Sequence, residues 1–363
     1  MRKPRKDYHA FQAGAKLLDD ALAKDRTPER VPIYAQLHEF AMQEIGVTAR
    51  EFYTAPELLI YGVLEITEEY GIDVPYADYD VYNIEAEALG QPLEWHDNFM
   101  PSVDQDQPLI SGSDDLNKIR TPDFASAGRC AMIIEAQQMY LDATGLQPTL
   151  GFCAPFSFVA NIRGTENLIF DMMLNPSFAR DLFDRAVEEV LAPWILYQKE
   201  HFPAATNIVG SDAAASVPIL SPGMIREWIV SDILHLRDLC GPDIYVPNWM
   251  GEALLPEPKD LLDLKRQVAT NFIEGQDPDI EALGPERYLQ YAQQHDVALL
   301  LGVGAAFMDA SSPEAVAARV KHYVEVGKQH DRFALFFCNL GATTPPENVK
   351  AAVEAARNYG DYH

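Results

Sequence analysis

Eight short β-rich runs, each followed by a longer segment with helical periodicity, constrain the fold of this chain most strongly. Such an alternation of strand and helix is typical of a parallel sheet with helices on its outer faces. The predicted strands span residues 31–37, 71–75, 149–153, 207–211, 243–247, 269–274, 298–303 and 333–338. Eight strands with intervening helices predict a closed α/β barrel, the (β/α)8 TIM barrel.

The uneven intervals between these strands predict two additions to the barrel. Residues 1–30 form an N-terminal helical extension, and residues 76–122, rich in Pro, Asp and Gln, form a long insertion after the second strand. We expect the insertion to fold over the barrel mouth and residues 1–363 to form one domain. A doubly wound open sheet is the rival fold, but the GxGxxG fingerprint that it often carries is absent.

The chain is strongly acidic, with 28 Lys and Arg against 55 Asp and Glu and a formal net charge of −27. This charge opposes binding to nucleic acid or to an anionic membrane surface. No apolar stretch is long enough to cross a bilayer, and the N-terminal residues lack the apolar core of a signal peptide. We therefore expect a soluble, cytoplasmic protein without nucleic-acid or membrane partners.

The four cysteines have no paired spacing, which favours free thiols over a disulfide framework. Cys338 stands out because it ends the last predicted strand and enters a polar loop before a helix. A thiol in that position favours a site role over core packing. For Cys153, at the end of the third strand, packing as a small buried hydrophobe is the favoured interpretation.

The carboxyl ends of the strands and the loops after them build the active site of a barrel enzyme. Each residue there also has a structural alternative, which is core packing for aromatic or sulfur-containing residues and local hydrogen bonding for polar ones. The candidates are Gln36, His38, Glu39, Cys153, Phe156, Asp212, Ser216, Asn248, Trp249, Met250, Glu274, Asp277, Cys338 and Asn339. The sequence has no HExxH, CxxC or His-x-His, which argues against a closed zinc site, and no GxSxG, which argues against a serine hydrolase.

Five features along the chain form a recognisable pattern: PERVP at 28–32, NIEAEALG at 83–90, GFCAPFS at 151–157, Asp212 with Ser216, and TPPEN at 344–348. Their order and spacing resemble the uroporphyrinogen decarboxylase superfamily. This superfamily of (β/α)8 barrels also contains the cobalamin-dependent methyltransferases, including methylcobalamin:coenzyme M methyltransferase. The resemblance therefore implies either a decarboxylase or a methyltransferase.

Departures from the decarboxylase pattern favour the methyltransferase branch. Decarboxylases carry an arginine-bearing segment after the first strand that holds porphyrinogen carboxylates, whereas this chain has AQLHE at 35–39. Counted from TPPEN, Cys338 matches the zinc-ligand cysteine of the methyltransferases. Their His-x-Cys-Gly segment is matched by NWMG at 248–251, so Asn248 and Met250 replace two usual zinc ligands.

The resemblance implies methyl transfer in which a Lewis acid or a proton donor improves the leaving group. The catalytic candidates are Cys338, His38 and Asn248. The substrate-binding candidates are Tyr82, Asn83, Cys153, Phe156, Trp249 and Met250. Zinc is a candidate cofactor, with Cys338, Glu274 and Asp277 as its ligands. Because no cobalamin-binding DxHxxG segment occurs, the corrinoid would be carried by a separate protein.

Three hypotheses remain. The first is a corrinoid-dependent methyltransferase component that acts on a small methylated substrate, with an aromatic methyl ether as the example. The second is a decarboxylase-like lyase that acts on a carboxylated substrate other than a porphyrin. The third is a non-catalytic binding protein on the same barrel. The sequence is compatible with a homodimer.

Overall fold

Eight parallel strands form a barrel in the computed structural model, which describes residues 7–77 and 79–362. Two further short strands form a hairpin in the insertion. In chain order the strands are β1 (Ile33–Ala35), β2 (Val74–Pro75), β3 (Leu93–Glu94), β4 (Ser102–Val103), β5 (Leu150–Cys153), β6 (Ile208–Ser211), β7 (Ile244–Tyr245), β8 (Phe272–Gln276), β9 (Ala298–Val303) and β10 (Phe333–Phe337).

The ladder hydrogen bonds group the barrel strands into two arcs, β2-β1-β10-β9-β8 and β5-β6-β7. All pairs within the arcs are parallel, and β1 closes against β10 with Tyr34 opposite Phe336. Each of the eight strands predicted from the sequence is present. The chain is therefore a (β/α)8 barrel, as predicted.

Helices cover the outside of the barrel and its two ends, and several begin with proline, whose missing N–H costs nothing in a first turn. The α-helices are α1 (Phe11–Leu22), α2 (His38–Ile45), α3 (Ala49–Thr54), α4 (Pro56–Glu69), α5 (Ile84–Ala88), α6 (Cys130–Thr144), α7 (Pro155–Arg163), α8 (Thr165–Leu174), α9 (Pro176–Arg185), α10 (Ala192–His201), α11 (Pro222–Met224), α12 (Ser231–Cys240), α13 (Lys259–Val268), α14 (Asp279–Leu283), α15 (Pro285–His295), α16 (Ala305–Ala310), α17 (Pro313–Gly327) and α18 (Pro346–Tyr359). Segments of π-helix at Ala186–Leu191 and Ile225–Val230 join α9 to α10 and α11 to α12. None of the described helices has the length and apolarity needed to cross a bilayer.

Helix α1 belongs to the predicted N-terminal extension, whose residues 1–6 lie outside the described chain. Gly14 of α1 lies so close to the carbonyl oxygen of Asp73 that a Cβ atom would not fit there. Since Asp73 immediately precedes β2, α1 crosses the amino end of the barrel. Leu18 and Leu22 pack against a buried cluster that includes Leu300. The helix thus lies at the end of the barrel opposite to the loops that follow the strands.

The insertion, in which residue 78 lies outside the described chain, contains α5 and the β3–β4 hairpin. A carboxylate oxygen of Glu39, just after β1, accepts hydrogen bonds from the main-chain N–H of Met100 and from the Tyr53 hydroxyl, both at 2.8 Å. Arg129 pairs with Asp80 at 2.6 Å. These contacts hold the insertion beside the carboxyl end of β1, at the barrel mouth.

Candidate functional site

A cavity of about 800 Å³ occupies the barrel interior. It extends from the carboxyl ends of the strands, where His38, Asn248 and Asn339 lie, to Leu18 and Leu22 of α1 at the other end. Small-molecule sites typically enclose roughly 300–1,000 Å³. Because side chains ordinarily fill the interior of this fold, an interior space of this size indicates a ligand site.

The cavity wall is aromatic and rich in amides, and among the described residues that line it there is no lysine or arginine. Its aromatic members are Tyr34, Tyr76, Tyr79, Tyr82, Tyr140, Tyr245, Phe272 and Phe336. Its carboxylates belong to Glu274 and to Asp19 of α1. A buried anion needs a paired cation, so this wall disfavours ligands that carry carboxylate or phosphate groups.

Glu274 places a carboxyl group inside the barrel. It lies in β8 between Phe272 and Gln276, and the two-residue period of a strand directs all three side chains into the cavity. Glu274 is 8% exposed, and burial raises its pKa from 4.5 to about 7 against the opposing effect of the Lys265 ammonium group. Lys265 does not bind this carboxyl group, because it donates to the main-chain oxygen of Glu274 at 2.6 Å and to the carboxylate of Glu252 at 2.8 Å.

Cys338 directly follows β10, at the position that the sequence predicted, and its side chain is buried. Its side chain packs with Leu300, and its main-chain N–H donates to the carbonyl of Val303 at 3.0 Å. Burial, followed by the charges of Glu274 and Asp277, raises the pKa of the thiol well above its ordinary value. The neutral thiol is therefore favoured, and the catalytic role of Cys338 stays a prediction.

His38 and Asn339 form a pair at the cavity mouth, on the loops after the neighbouring strands β1 and β10. Nε2 of His38 lies 3.1 Å from Oδ1 of Asn339. Both residues have positive φ, 37° and 45°, a region that residues other than glycine adopt rarely. Main-chain hydrogen bonds from Leu340 to Gln36 and from Gln36 to Phe337 fix the two loops. Backbone strain next to a cavity is typical of a functional site.

Asn248 links three loops at the mouth. Its Oδ1 accepts from the main-chain N–H of Asp212 at 2.9 Å, and its Nδ2 donates to the hydroxyl of Tyr82 at 2.9 Å. Asp212 accepts from the main-chain N–H of Ser157 at 2.8 Å, and burial raises its pKa to about 6. Asn248 therefore fixes Tyr82, from the insertion, against the cavity.

Two of the six predicted substrate-binding residues lie on the cavity wall, and four do not. Tyr82 and Met250 line the cavity, but the other four are buried outside its wall: Asn83, Cys153, Phe156 and Trp249. Asn83 donates to the carbonyl of Pro101 at 2.8 Å, so it stabilises the insertion. The three apolar side chains pack in the barrel core. Direct contact of these four with a substrate is therefore not expected.

The predicted zinc ligands Cys338, Glu274 and Asp277 are not grouped as a set of three in the described chain. Asp277 accepts from Arg319 at 3.1 Å and from the Tyr323 hydroxyl, and it lies outside the cavity wall. Across the described chain, no three His, Cys, Asp or Glu side chains come together as metal ligands. A zinc ion held by three protein ligands does not fit this arrangement.

The candidates chosen from the sequence did not include the aromatic cavity residues that lie within the predicted strands. The Tyr34 ring stacks on Phe336 with centroids 5.1 Å apart, and Tyr245 meets Phe272 edge-on at 5.3 Å. The two-residue period groups Phe336 with Cys338 on one face of β10, but it does not say which face points inward. Candidates chosen only at the carboxyl ends of strands therefore do not include these aromatic wall residues.

Comparison with known proteins identifies the family of this barrel. Residues 19–241 match the family described as Uroporphyrinogen decarboxylase (URO-D). No curated protein matches the sequence. Among solved structures, a methyltransferase from Methanosarcina mazei has a similar fold, with a TM-score of 0.76 and 19% identity over 96% of this chain and 98% of that one. The predicted superfamily resemblance is confirmed, and the chain belongs to the uroporphyrinogen decarboxylase family.

Proposed function

We propose that this chain is the methyltransferase component of a corrinoid-dependent system. It would bind a small methylated substrate in the barrel cavity and transfer its methyl group to a corrinoid carried by a separate protein. The observation that carries this proposal is the cavity wall, which combines aromatic and amide side chains with Glu274 and lacks lysine and arginine among the described residues. Such a wall disfavours a porphyrinogen or another carboxylated substrate.

The likeness in fold to a protein that is named a methyltransferase supports the same branch of the family. The sequence AQLHE at 35–39, which replaces an arginine-bearing segment, supports it as well. The aromatic wall suits an aromatic methyl ether, the example chosen from the sequence. Because the candidate ligands do not converge, zinc has no part in the proposed mechanism.

The roles of the residues follow from their positions. Tyr82, fixed by Asn248, orients the substrate from the insertion side of the mouth. His38, whose Nε2 lies beside Oδ1 of Asn339, is on the loop after β1 and would donate a proton to a leaving group that needs one. Met250 contributes an adaptable apolar surface. The corrinoid, when bound at the mouth, supplies the nucleophilic cobalt that accepts the methyl group.

The test is methylation of cob(I)alamin, generated by chemical reduction, by purified chain with separate methylated donors. Methyl ethers, thioethers and methylated ammonium compounds are compared, and methylcobalamin is measured by its absorbance spectrum. Formation of methylcobalamin that depends on the chain supports the proposal, and an Asn248→Ala variant should lower its rate. Release of carbon dioxide from carboxylated compounds, without methyl transfer from any donor, would favour the lyase alternative.

A further inference from the structure

Glu274 is a buried carboxyl group that faces the cavity, and no cationic side chain in the described part of the chain pairs with it. It is 8% exposed, and among the described residues no hydrogen bond or ion pair reaches its carboxyl oxygens. The Lys265 ammonium group donates hydrogen bonds to the Glu252 carboxylate and to the main-chain oxygen of Glu274. A buried carboxyl group without a partner is costly, so a ligand that partners it would be favoured.

Aromatic rings surround the space in front of this carboxyl group. Phe272 precedes Glu274 by two residues on the same face of β8, and its ring meets that of Tyr245 edge-on. Tyr34 and Phe336 stack on the neighbouring part of the wall. Burial, and next the charge of Glu274, raises the pKa of both tyrosines, which indicates that both phenols lie near this carboxyl group. Aromatic faces attract cations, most strongly where water is excluded.

The charge of the wall also favours a cationic ligand. Its carboxylates, Glu274 and Asp19, are opposed by no lysine or arginine among the described residues that line the cavity. The whole chain has a formal net charge of −27, which attracts cations and repels anions before they enter. An aromatic, acidic and otherwise uncharged wall is complementary to an organic cation.

We propose that the cavity binds a methylated ammonium cation, with Glu274 as its counter-ion and Tyr34 and Tyr245 as its aromatic walls. This inference rests on the proposed methyltransferase function and names its substrate class. The cation is a quaternary one, with no N–H group and an apolar surface around its charge, so it matches aromatic side chains and needs no hydrogen-bond acceptor. Its methyl group would be the group that is transferred.

The leaving group of this transfer needs neither a proton donor nor a Lewis acid. The bond between nitrogen and one methyl carbon breaks, and its electron pair stays on nitrogen, which leaves as a neutral tertiary amine. The methyl carbon forms its new bond with the electron pair of the reduced cobalt of the corrinoid. An ether would instead leave as an alkoxide and need a proton or a Lewis acid. A site without converging zinc ligands therefore suits the ammonium donor.

Calorimetric titration with matched probes tests the binding. Choline is compared with 3,3-dimethylbutan-1-ol, its neutral counterpart, and with the anion 3,3-dimethylbutanoate, at about pH 8, where a carboxyl group of pKa about 7 is ionised. We expect choline to bind at least about tenfold more tightly than the neutral probe, and the anion not to bind. Equal or tighter binding of the neutral probe would overturn the inference, and this comparison needs only the wild-type chain.

Two variants assign the effect to its residue. Glu274→Gln keeps the shape of the side chain and should reduce the preference for choline at least about fivefold. Glu354→Gln removes an exposed carboxylate of α18 that does not line the cavity, and it should retain the preference. A preference that survives Glu274→Gln would overturn the assignment.

The two proposals fail separately in these experiments. The titrations contain no corrinoid, so selective binding of choline without methyl transfer would retain the cation site and count against the methyltransferase. Chain-dependent methylation of cob(I)alamin by a neutral methyl ether, with no preference for choline in the titrations, would retain the methyltransferase and overturn the cation site.

Discussion

Replacing Glu85 with glutamine should remove a large pH-dependent loss of stability. Glu85 lies in α5 with its side chain fully buried, and its Oε1 accepts from the main-chain N–H of Cys153 at 2.9 Å. Within the described chain its Oε2 has no hydrogen-bond partner. Burial raises the pKa of this carboxyl group from 4.5 to about 8. The folded chain therefore holds Glu85 protonated at neutral pH.

The magnitude follows from this change in pKa. Each pKa unit corresponds to about 1.4 kcal/mol, so complete ionisation of Glu85 lowers the free energy of unfolding by about 5 kcal/mol. Below about pH 4.5 both the folded and the unfolded chain carry the proton, and the stabilisation is complete. Between about pH 4.5 and 8 only the folded chain carries it, so stability falls by about 1.4 kcal/mol per pH unit.

The assay is urea unfolding of wild type and Glu85→Gln, followed by circular dichroism at about pH 5, 6.5 and 8. The glutamine oxygen can keep the hydrogen bond from Cys153, so the two proteins should be similar at the lowest pH. The variant should become more stable than wild type, by several kcal/mol, at the highest pH. Glu354→Gln, which removes an exposed carboxylate from α18, is the matched control for the change in charge. A constant difference between wild type and Glu85→Gln across this range would refute the reasoning.

Four further outcomes are expected. Lys265→Met leaves the carboxylate of Glu252 buried without its cation and should lower the free energy of unfolding by about 3–5 kcal/mol, measured by urea unfolding. Gly251→Ala places a Cβ atom 2.5 Å from a carbonyl oxygen at a φ of 104° and should cost about 1–3 kcal/mol in the same assay; no change would contradict the strain. Asn248→Ala removes the hydrogen bond that Asn248 donates to the Tyr82 hydroxyl and should slow methylation of cob(I)alamin at least about tenfold with little change in thermal stability. Elemental analysis should find less than one zinc per chain and the same content in Cys338→Ala, whereas one zinc per chain that the variant loses would contradict the ligand geometry.

The sequence predicted the strands well because a strand buried on both faces is recognisable from a local apolar run. The run at 298–303 is buried throughout, and β9 spans the same residues. It is harder to predict from the sequence which residues after a strand end face the cavity and which face the core. Asn248 and Met250 line the cavity whereas Trp249, between them, points into the core. That difference depends on how the barrel closes around the loop, which local pattern does not contain.

For the candidate site too, the sequence identified some of the cavity residues and not others. His38 and Glu274 were identified from their positions after or within predicted strands, and both lie on the cavity wall. The inward tyrosines Tyr34 and Tyr245 lie in the middle of the predicted strands 31–37 and 243–247, where sequence pattern alone does not show which face points into the cavity. Cys338 was identified as a strand-end residue, but its burial depends on Leu300 from the next strand. Contacts between distant segments therefore decide which candidates reach the ligand space.

The most direct test of the account follows the methyl group itself. Choline with isotope-labelled methyl groups is incubated with the purified chain and cob(I)alamin, and nuclear magnetic resonance detects where the label goes. The account predicts labelled methylcobalamin together with the amine that has lost one methyl group. It predicts neither product without the chain, and slower formation of both with Glu274→Gln at limiting substrate. Label that remains on nitrogen, while the same chain methylates cob(I)alamin from a neutral ether, would contradict the account of the cavity.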